Sequence, residues 1–279
     1  MDELILYSVA DRVCRITLNR PEKRNALSLA LRRQIVDALR DAERDDAVTV
    51  VLIDGAGPSF SAGYDLADPR DVKTHGWIDS EHFSSWSDQF ARSVHRDWMV
   101  IWDLLKPVVA KVHGYCLAGG TELMSMCDIA FVADDAILGY PPMRSMSTPD
   151  TLYFPWKLPM AQAKYLQLTG NSVTGRQAAE MGWVAKSFPA AELEEAVQRE
   201  LRPLAQIDPA LLAANKASLN QAYEIMGMRT HLQSAWQLHH LSGQDRSRAG
   251  EFGQIARREG LRAAIEARDA PFRREGFIP

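Results

Sequence analysis

The chain predicts an α/β core of buried strands alternating with helices, followed by a helical C-terminal region. Three observations carry this. Val48-Thr49-Val50-Val51-Leu52-Ile53 and Val108-Val109-Ala110-Lys111-Val112 are nearly unbroken apolar runs, as strands covered on both faces are. Helical periodicity separates the strand-like segments. From Ala190 to the C-terminus the chain alternates helical patterns with polar breaks.

Leu4–Val9 and Val13–Leu18 flank Asp11-Arg12 and predict a β-hairpin. Ser28 is a suitable N-cap for a helix to about Glu43, with Leu31, Ile35, Val36 and Leu39 on one face. Strand Val48–Ile53 follows. The stretch from Ala67 to Lys106 has the least regular pattern. It carries Trp77, Trp86, Trp98 and Trp102 with His75, His82 and His95, and can be a lid, an acyl-pocket wall or ordinary core. Strand Val108–Val112 then runs into a glycine-rich turn and a helix over Gly120–Cys127. Short strands at Ile129–Val132 and Ala136–Leu138 come next, then helices at Met160–Leu168 and Gly175–Met181. The expected boundary separates a core at 1–200 from helices at 201–279.

Two glycine-bearing segments follow the two buried strands. In the first, Gly55-Ala56-Gly57-Pro58-Ser59-Phe60-Ser61-Ala62-Gly63-Tyr64-Asp65-Leu66, a dinucleotide fingerprint fails because its third glycine falls on Phe60. A nucleophile elbow fails as well, since Gly57-x-Ser59 is followed by Ser61. The second, His113-Gly114-Tyr115-Cys116-Leu117-Ala118-Gly119-Gly120-Thr121-Glu122, lacks the lysine of a phosphate loop and carries Glu122 on the first helical turn. Amides at a helix start beside a potential general base suit chemistry on a carbonyl compound.

Composition excludes several classes. With 279 residues, 46% of them hydrophobic, the chain can bury a sizeable core. A net charge of −4 and a pI near 6.0 give no basic footprint for nucleic acid. Cys14, Cys116 and Cys127 are too few and scattered for a disulfide framework or a thiolate metal site. The acidic start and the lack of an apolar run of ~18 residues point to a soluble cytoplasmic protein with no membrane partner.

The segments together resemble the crotonase (enoyl-CoA hydratase/isomerase) superfamily. Ile16-Thr17-Leu18-Asn19-Arg20-Pro21-Glu22-Lys23-Arg24-Asn25-Ala26-Leu27-Ser28 is similar to its N-terminal signature, and Lys106-Pro107 through Cys127-Asp128-Ile129 to its central one. Thr169-Gly170, Ala178-Ala179 and Gly182-Trp183-Val184 match the segment where its core closes; Arg258-Glu259-Gly260-Leu261 to Pro271-Phe272 matches its end. The resemblance implies a spiral of ββα units with a helical trimerisation region, hence a homotrimer or a dimer of trimers. It implies an acyl-CoA substrate, coenzyme A being part of that substrate, with no prosthetic group and no metal. It places oxyanion donors on the amides of Ala62 and Gly119, and sets the adenine and pantetheine against Arg24, Ala26, Ser61, Asp65 and Leu66.

Glu122 matches one of the family's two hydratase glutamates. The other belongs where this chain reads Leu138-Gly139-Tyr140-Pro141-Pro142, so that Pro142 stands in for a carboxylate. Asp150, in Pro149-Asp150-Thr151, is the candidate replacement as acid, base or nucleophile; its alternative is turn chemistry or helix capping. Cys116 is expected to be a packing residue, His113 to make a structural hydrogen bond, and His231, His239 and His240 to be structural or surface groups. The functional expectation is enolate or oxyanion chemistry on an acyl thioester: hydration, isomerisation or related C–C or C–X chemistry. A catalytically inactive acyl-CoA-binding relative is the competing reading, favoured by Pro142 and opposed by Glu122.

Overall fold

A computed structural model describes residues 3–66, 89–242 and 247–278. The hairpin is β1 (Ile5–Ala10) and β2 (Val13–Leu18), paired antiparallel. Helix α1 (Leu29–Arg44) begins where Ser28 accepts a hydrogen bond from the Leu31 amide, and buries Leu31, Ile35, Val36 and Leu39. Strand β3 (Val50–Gly55) follows. Helix α2 (Gln89–Asp103) lies in the stretch that looked least regular; Trp77, Trp86, His75 and His82 lie outside the described residues.

Then come β4 (Val108–Val112), β5 (Tyr115–Leu117), α3 (Gly119–Met126), β6 (Ile129–Ala133) and β7 (Ile137–Gly139). A 3-10 turn at Pro141–Arg144 leads to α4 (Phe154–Lys157), α5 (Met160–Thr169), β8 (Ser172–Thr174), α6 (Gly175–Glu180) and β9 (Lys186–Phe188). The rest is helical: α7 (Leu193–Leu204), α8 (Pro209–Ile225), α9 (Met228–Ser242), α10 (Ser247–Glu259) and α11 (Leu261–Arg274).

Six strands form one sheet in the order β1-β2-β3-β4-β6-β9, parallel from β2 onward. A smaller sheet, β5-β7-β8, stands beside it. The chain steps from one sheet to the other after β4 and again after β6, as a spiral of ββα turns does. Every residue of β4 is buried, and four of the five in β6, which explains the lack of alternation in those runs. Leu193, Val197 and Leu201 of α7 join the core, so the boundary expected after residue 200 falls inside a core-packed helix.

Candidate active site

The two glycine segments are brought together by pairing between residues far apart in the chain. Ser61 lies beside β5: its amide donates to Tyr115 O at 3.0 Å, and Leu117 N donates back to Ser61 O at 3.0 Å. On the other side, Leu27 N donates to Gly63 O at 2.8 Å and Asp65 N to Leu27 O at 3.3 Å. Asn25 staples the arrangement. Fully buried with φ of 52°, it donates through its side-chain amide to Ala56 O at 2.9 Å and Ser59 O at 2.8 Å; asparagine tolerates that left-handed backbone better than most residues. His113 Nε2 lies 2.8 Å from Gly57 O, the structural hydrogen bond expected of it.

Gly63, at φ of 101°, is needed for a close approach: a Cβ there would stand 2.8 Å from Ala118 Cβ and 3.3 Å from Gly119 N. Gly119 is equally constrained, since a Cβ would fall 2.5–2.8 Å from carbons of the Tyr64 ring. The Gly119 amide opens α3 and meets no acceptor among the described residues.

Ala62 does not fit the role expected of it. Its N–H donates to Arg24 O at 2.9 Å, so pairing with the preceding turn already uses that hydrogen. Asp65 N–H is committed as well, to Leu27 O at 3.3 Å, and between these two residues both Gly63 and the Tyr64 ring approach Gly119.

Glu122 and Asp150 are brought together. Both are buried, at 0% and 1% exposure. Asp150 N donates to Glu122 Oε1 at 3.1 Å, while Thr151 N at 3.1 Å and the Tyr64 hydroxyl at 2.7 Å both donate to Oε2. The segment is fixed from behind by Tyr153, whose hydroxyl donates to Thr121 Oγ1 at 2.6 Å and whose ring stacks on Phe154 and Trp183. Trp183 in turn donates to Ser125 Oγ at 3.0 Å. Asp150 is not a helix cap here, because α4 starts four residues later with Tyr153 at its N-cap position.

A cavity of about 240 Å³ opens onto this assembly. Arg24, Asp65 and Leu66 form one part of its wall; Tyr140, Pro142, Met146 and Asp150 another; Ile265 and Arg268 of α11 a third. The C-terminal helix thus closes the cavity of its own chain. It is held there by Asp269, which accepts from Arg144 at 3.0 Å and from Arg268 at 2.8 Å, all three side chains being nearly inaccessible.

Of the residues expected to hold coenzyme A, Arg24, Asp65 and Leu66 reach the cavity. Ser61 and Ala26 serve the loops instead. Ser61 Oγ donates to Asn25 O at 2.9 Å and accepts from Gly63 N at 3.2 Å; Ala26 O accepts from Arg20. Arg20 and Lys23 turn toward Asp65, at 2.8 and 3.6 Å. Arg24 is exposed at the cavity, with its guanidinium 5.1 Å from the Tyr115 ring centroid. Cys116 is buried as a packing residue; burial pushes its thiol pKa well up.

Sequence reasoning missed Tyr64. Its hydroxyl accepts from Trp98 Nε1 at 3.0 Å while donating to Glu122. Burial, and then the charges of Glu122 and Asp150, push its pKa well above the ordinary phenol value. A signal existed in the sequence: a large aromatic residue stands between Gly63 and Asp65, where the loop approaches Gly119.

A model of the enoyl-CoA hydratase/isomerase family matches residues 9–275. The chain belongs to that family. It is 33% identical over 231 residues to the hydroxycinnamoyl-CoA hydratase-lyase of Pseudomonas fluorescens, covering 79% of each protein. The crystal structure of an enoyl-CoA hydratase from Mycobacterium smegmatis superposes with a TM-score of 0.90 at 31% identity, over 96% of this chain and 94% of that one. An enoyl-CoA hydratase/isomerase from Xanthobacter autotrophicus Py2 gives a TM-score of 0.88 at 34% identity, over 96% and 98%. The fold is therefore the crotonase fold, and the protein is an acyl-CoA enzyme of the hydratase/isomerase type; the inactive alternative finds no support. Among the described residues no helix is long and apolar enough to cross a membrane.

Proposed function

We propose that the cavity binds the acyl end of a coenzyme A thioester and hydrates or isomerises its double bond with Asp150 in the place of the missing glutamate. The observation that carries this is the placement of Asp150: buried, on the cavity wall beside Pro142, and tied through its backbone to Glu122. Both residues are buried in one site, and two carboxyl groups sharing a site of low dielectric do not ionise together easily, so in this proposal the pair shares one proton. That proton is what α-carbon protonation needs. The thioester oxygen would be held by the Gly119 amide and, in place of Ala62, by the amide of Tyr64. Two donors converging on a developing oxyanion supply several kcal/mol, since removing one typically costs ~100–1000-fold in rate. Arg24 would take a phosphate of coenzyme A.

Assembly as a homotrimer or dimer of trimers belongs to the same reading. Leu211, Leu219, Ile225 and Met226 of the α8 region are 59–77% exposed, more apolar surface than one short helical layer ordinarily leaves in water. A cytoplasmic location fits the three buried, unpaired cysteines.

The test is a structure with an acyl-CoA bound, preceded by a panel of enoyl-CoA thioesters that includes crotonyl-CoA and hydroxycinnamoyl-CoA. The thioester oxygen should lie ~2.7–3.1 Å from the Gly119 and Tyr64 nitrogens, with Asp150 against the α- or β-carbon. A bound thioester whose oxygen avoids Gly119, or whose acyl chain lies away from Asp150, overturns the proposal.

A further inference from the structure

Glu122 matches the family's catalytic carboxylate, yet the cavity wall is formed by Tyr64 and Asp150, and Glu122 lies behind them with 0% exposure. We infer that Tyr64 is a catalytic residue of this enzyme, relaying the proton between Glu122 and the reacting water or substrate hydroxyl. The inference rests on the acyl-CoA reading of the cavity given above.

Three features of the geometry carry it. The first is direction. An indole N–H can only donate, so at 3.0 Å the Tyr64 oxygen must accept from Trp98 Nε1, and its own proton points at Glu122 Oε2, 2.7 Å away. The phenol is therefore an oriented link whose proton already lies on the line to the carboxylate. The second is fit. The Tyr64 ring occupies the space where a side chain at residue 119 would be, so the absence of a Cβ at Gly119 is what lets the phenol lie beside the start of α3. The third is position, because Tyr64 belongs both to the cavity wall and to the loop whose backbone flanks Gly119. The raised pKa of the phenol adds that a free tyrosinate is not a resting state, so the relay passes the proton on in one motion.

For hydration the step balances as follows. Water adds to the β-carbon through its oxygen; the proton it loses goes to the Tyr64 oxygen while the Tyr64 proton goes to Glu122. The electron pair of the double bond moves toward the thioester oxygen, and the α-carbon takes its proton from the Asp150 carboxyl group. Glu122 ends protonated, Asp150 ends ionised, and Tyr64 is unchanged. Proton exchange between the carboxyl pair and solvent restores the start, and dehydration runs the same path in reverse.

The experiment uses the full-length protein and the best enoyl-CoA from the panel. Tyr64→Phe keeps the ring against Gly119 and removes the link; turnover should fall ~100-fold or more, the usual scale of general acid–base assistance, with KM changed little. Replacing Tyr64 by 2-fluoro- and 3,5-difluorotyrosine keeps the shape while lowering the phenol pKa. A relay predicts that turnover and its solvent isotope effect change steadily along that series. Tyr64→Phe within threefold of wild type overturns the inference. A flat response to fluorination also overturns it, leaving Tyr64 as a residue that merely holds Glu122, and the fluorinated series decides even if Tyr64→Phe does not fold. A wild-type enzyme that turns over no enoyl-CoA while binding coenzyme A would refute the underlying reading instead.

Discussion

Glu122→Gln is the usual way to remove a carboxylate without changing its shape, but in this protein it should be a folding mutation as well as a catalytic one. Both oxygens of Glu122 accept hydrogen bonds: Oε1 from Asp150 N, Oε2 from Thr151 N and the Tyr64 hydroxyl. A glutamine amide has one oxygen and one NH2 group. The cheaper of its two orientations keeps the oxygen toward Thr151 and Tyr64 and sets the NH2 against the Asp150 N–H, donor to donor. One buried N–H then loses its acceptor, at a cost of ~1–3 kcal/mol. The bonds that remain become weaker too, because a neutral amide replaces a carboxylate acceptor. Together these give about 2–3 kcal/mol, which for a chain of this size lowers Tm by roughly 4–12 °C. Thermal unfolding followed by circular dichroism measures it, beside turnover on the enoyl-CoA panel. A Glu122→Gln protein that melts within a degree of wild type would refute the claim that both oxygens are committed acceptors.

Other perturbations separate chemistry from folding. Asp150→Asn, which keeps its backbone bond to residue 122, should lose ~100-fold or more in turnover while coenzyme A affinity and Tm change little; early melting would assign Asp150 to the turn. Gly114→Ala should cost about 3 kcal/mol or more in urea unfolding, since φ is 58° and a Cβ would stand 2.0 Å from Pro58 O; a loss under about 1 kcal/mol would show that the loop can move aside. Burial works to raise the Glu194 pKa, but hydrogen bonds and charges from Lys111 and Arg15 outweigh it and hold the group at about 2, against an ordinary 4.5. Its stabilisation is therefore complete above pH 4.5 and is lost as the pH falls through about 2. Glu194→Gln should reduce the pH dependence of Tm within that window, and an unchanged acid limb would remove Glu194 from the account.

How much was legible in the sequence varies by element. The hairpin, α1 with its Ser28 cap, β4 and α3 follow from local patterns, and the structure places them within a residue or two of expectation. Strand β5 was hidden because four residues between Gly114 and Gly119 read as a turn, and three of them become a strand by pairing with β7. Helix α2 was obscured because its apolar face includes Trp98 and Trp102 beside polar residues; Trp98 donates to the Tyr64 hydroxyl and Trp102 to Glu224 of α8. In the candidate site, motif position singled out Glu122, Gly119 and Asp150, and the structure sets Asp150 on the cavity wall with its amide on Glu122. That the Ala62 amide goes to Arg24 and the Tyr64 hydroxyl to Glu122 was not legible for one reason: the partners of a loop's amides and side chains lie elsewhere in the chain.

By itself the sequence determined the α/β class, the family and the two glycine segments, because each is written in residue type and short-range order. The tertiary structure alone decided that Ala62 gives its amide to Arg24, that Tyr64 turns back onto Glu122, that Asp150 lines the cavity, and that α11 closes over its own chain's site. Each of these is a choice of partner for a buried polar group or an apolar face. Such groups must be satisfied in the folded chain, and the groups that satisfy them lie tens of residues away.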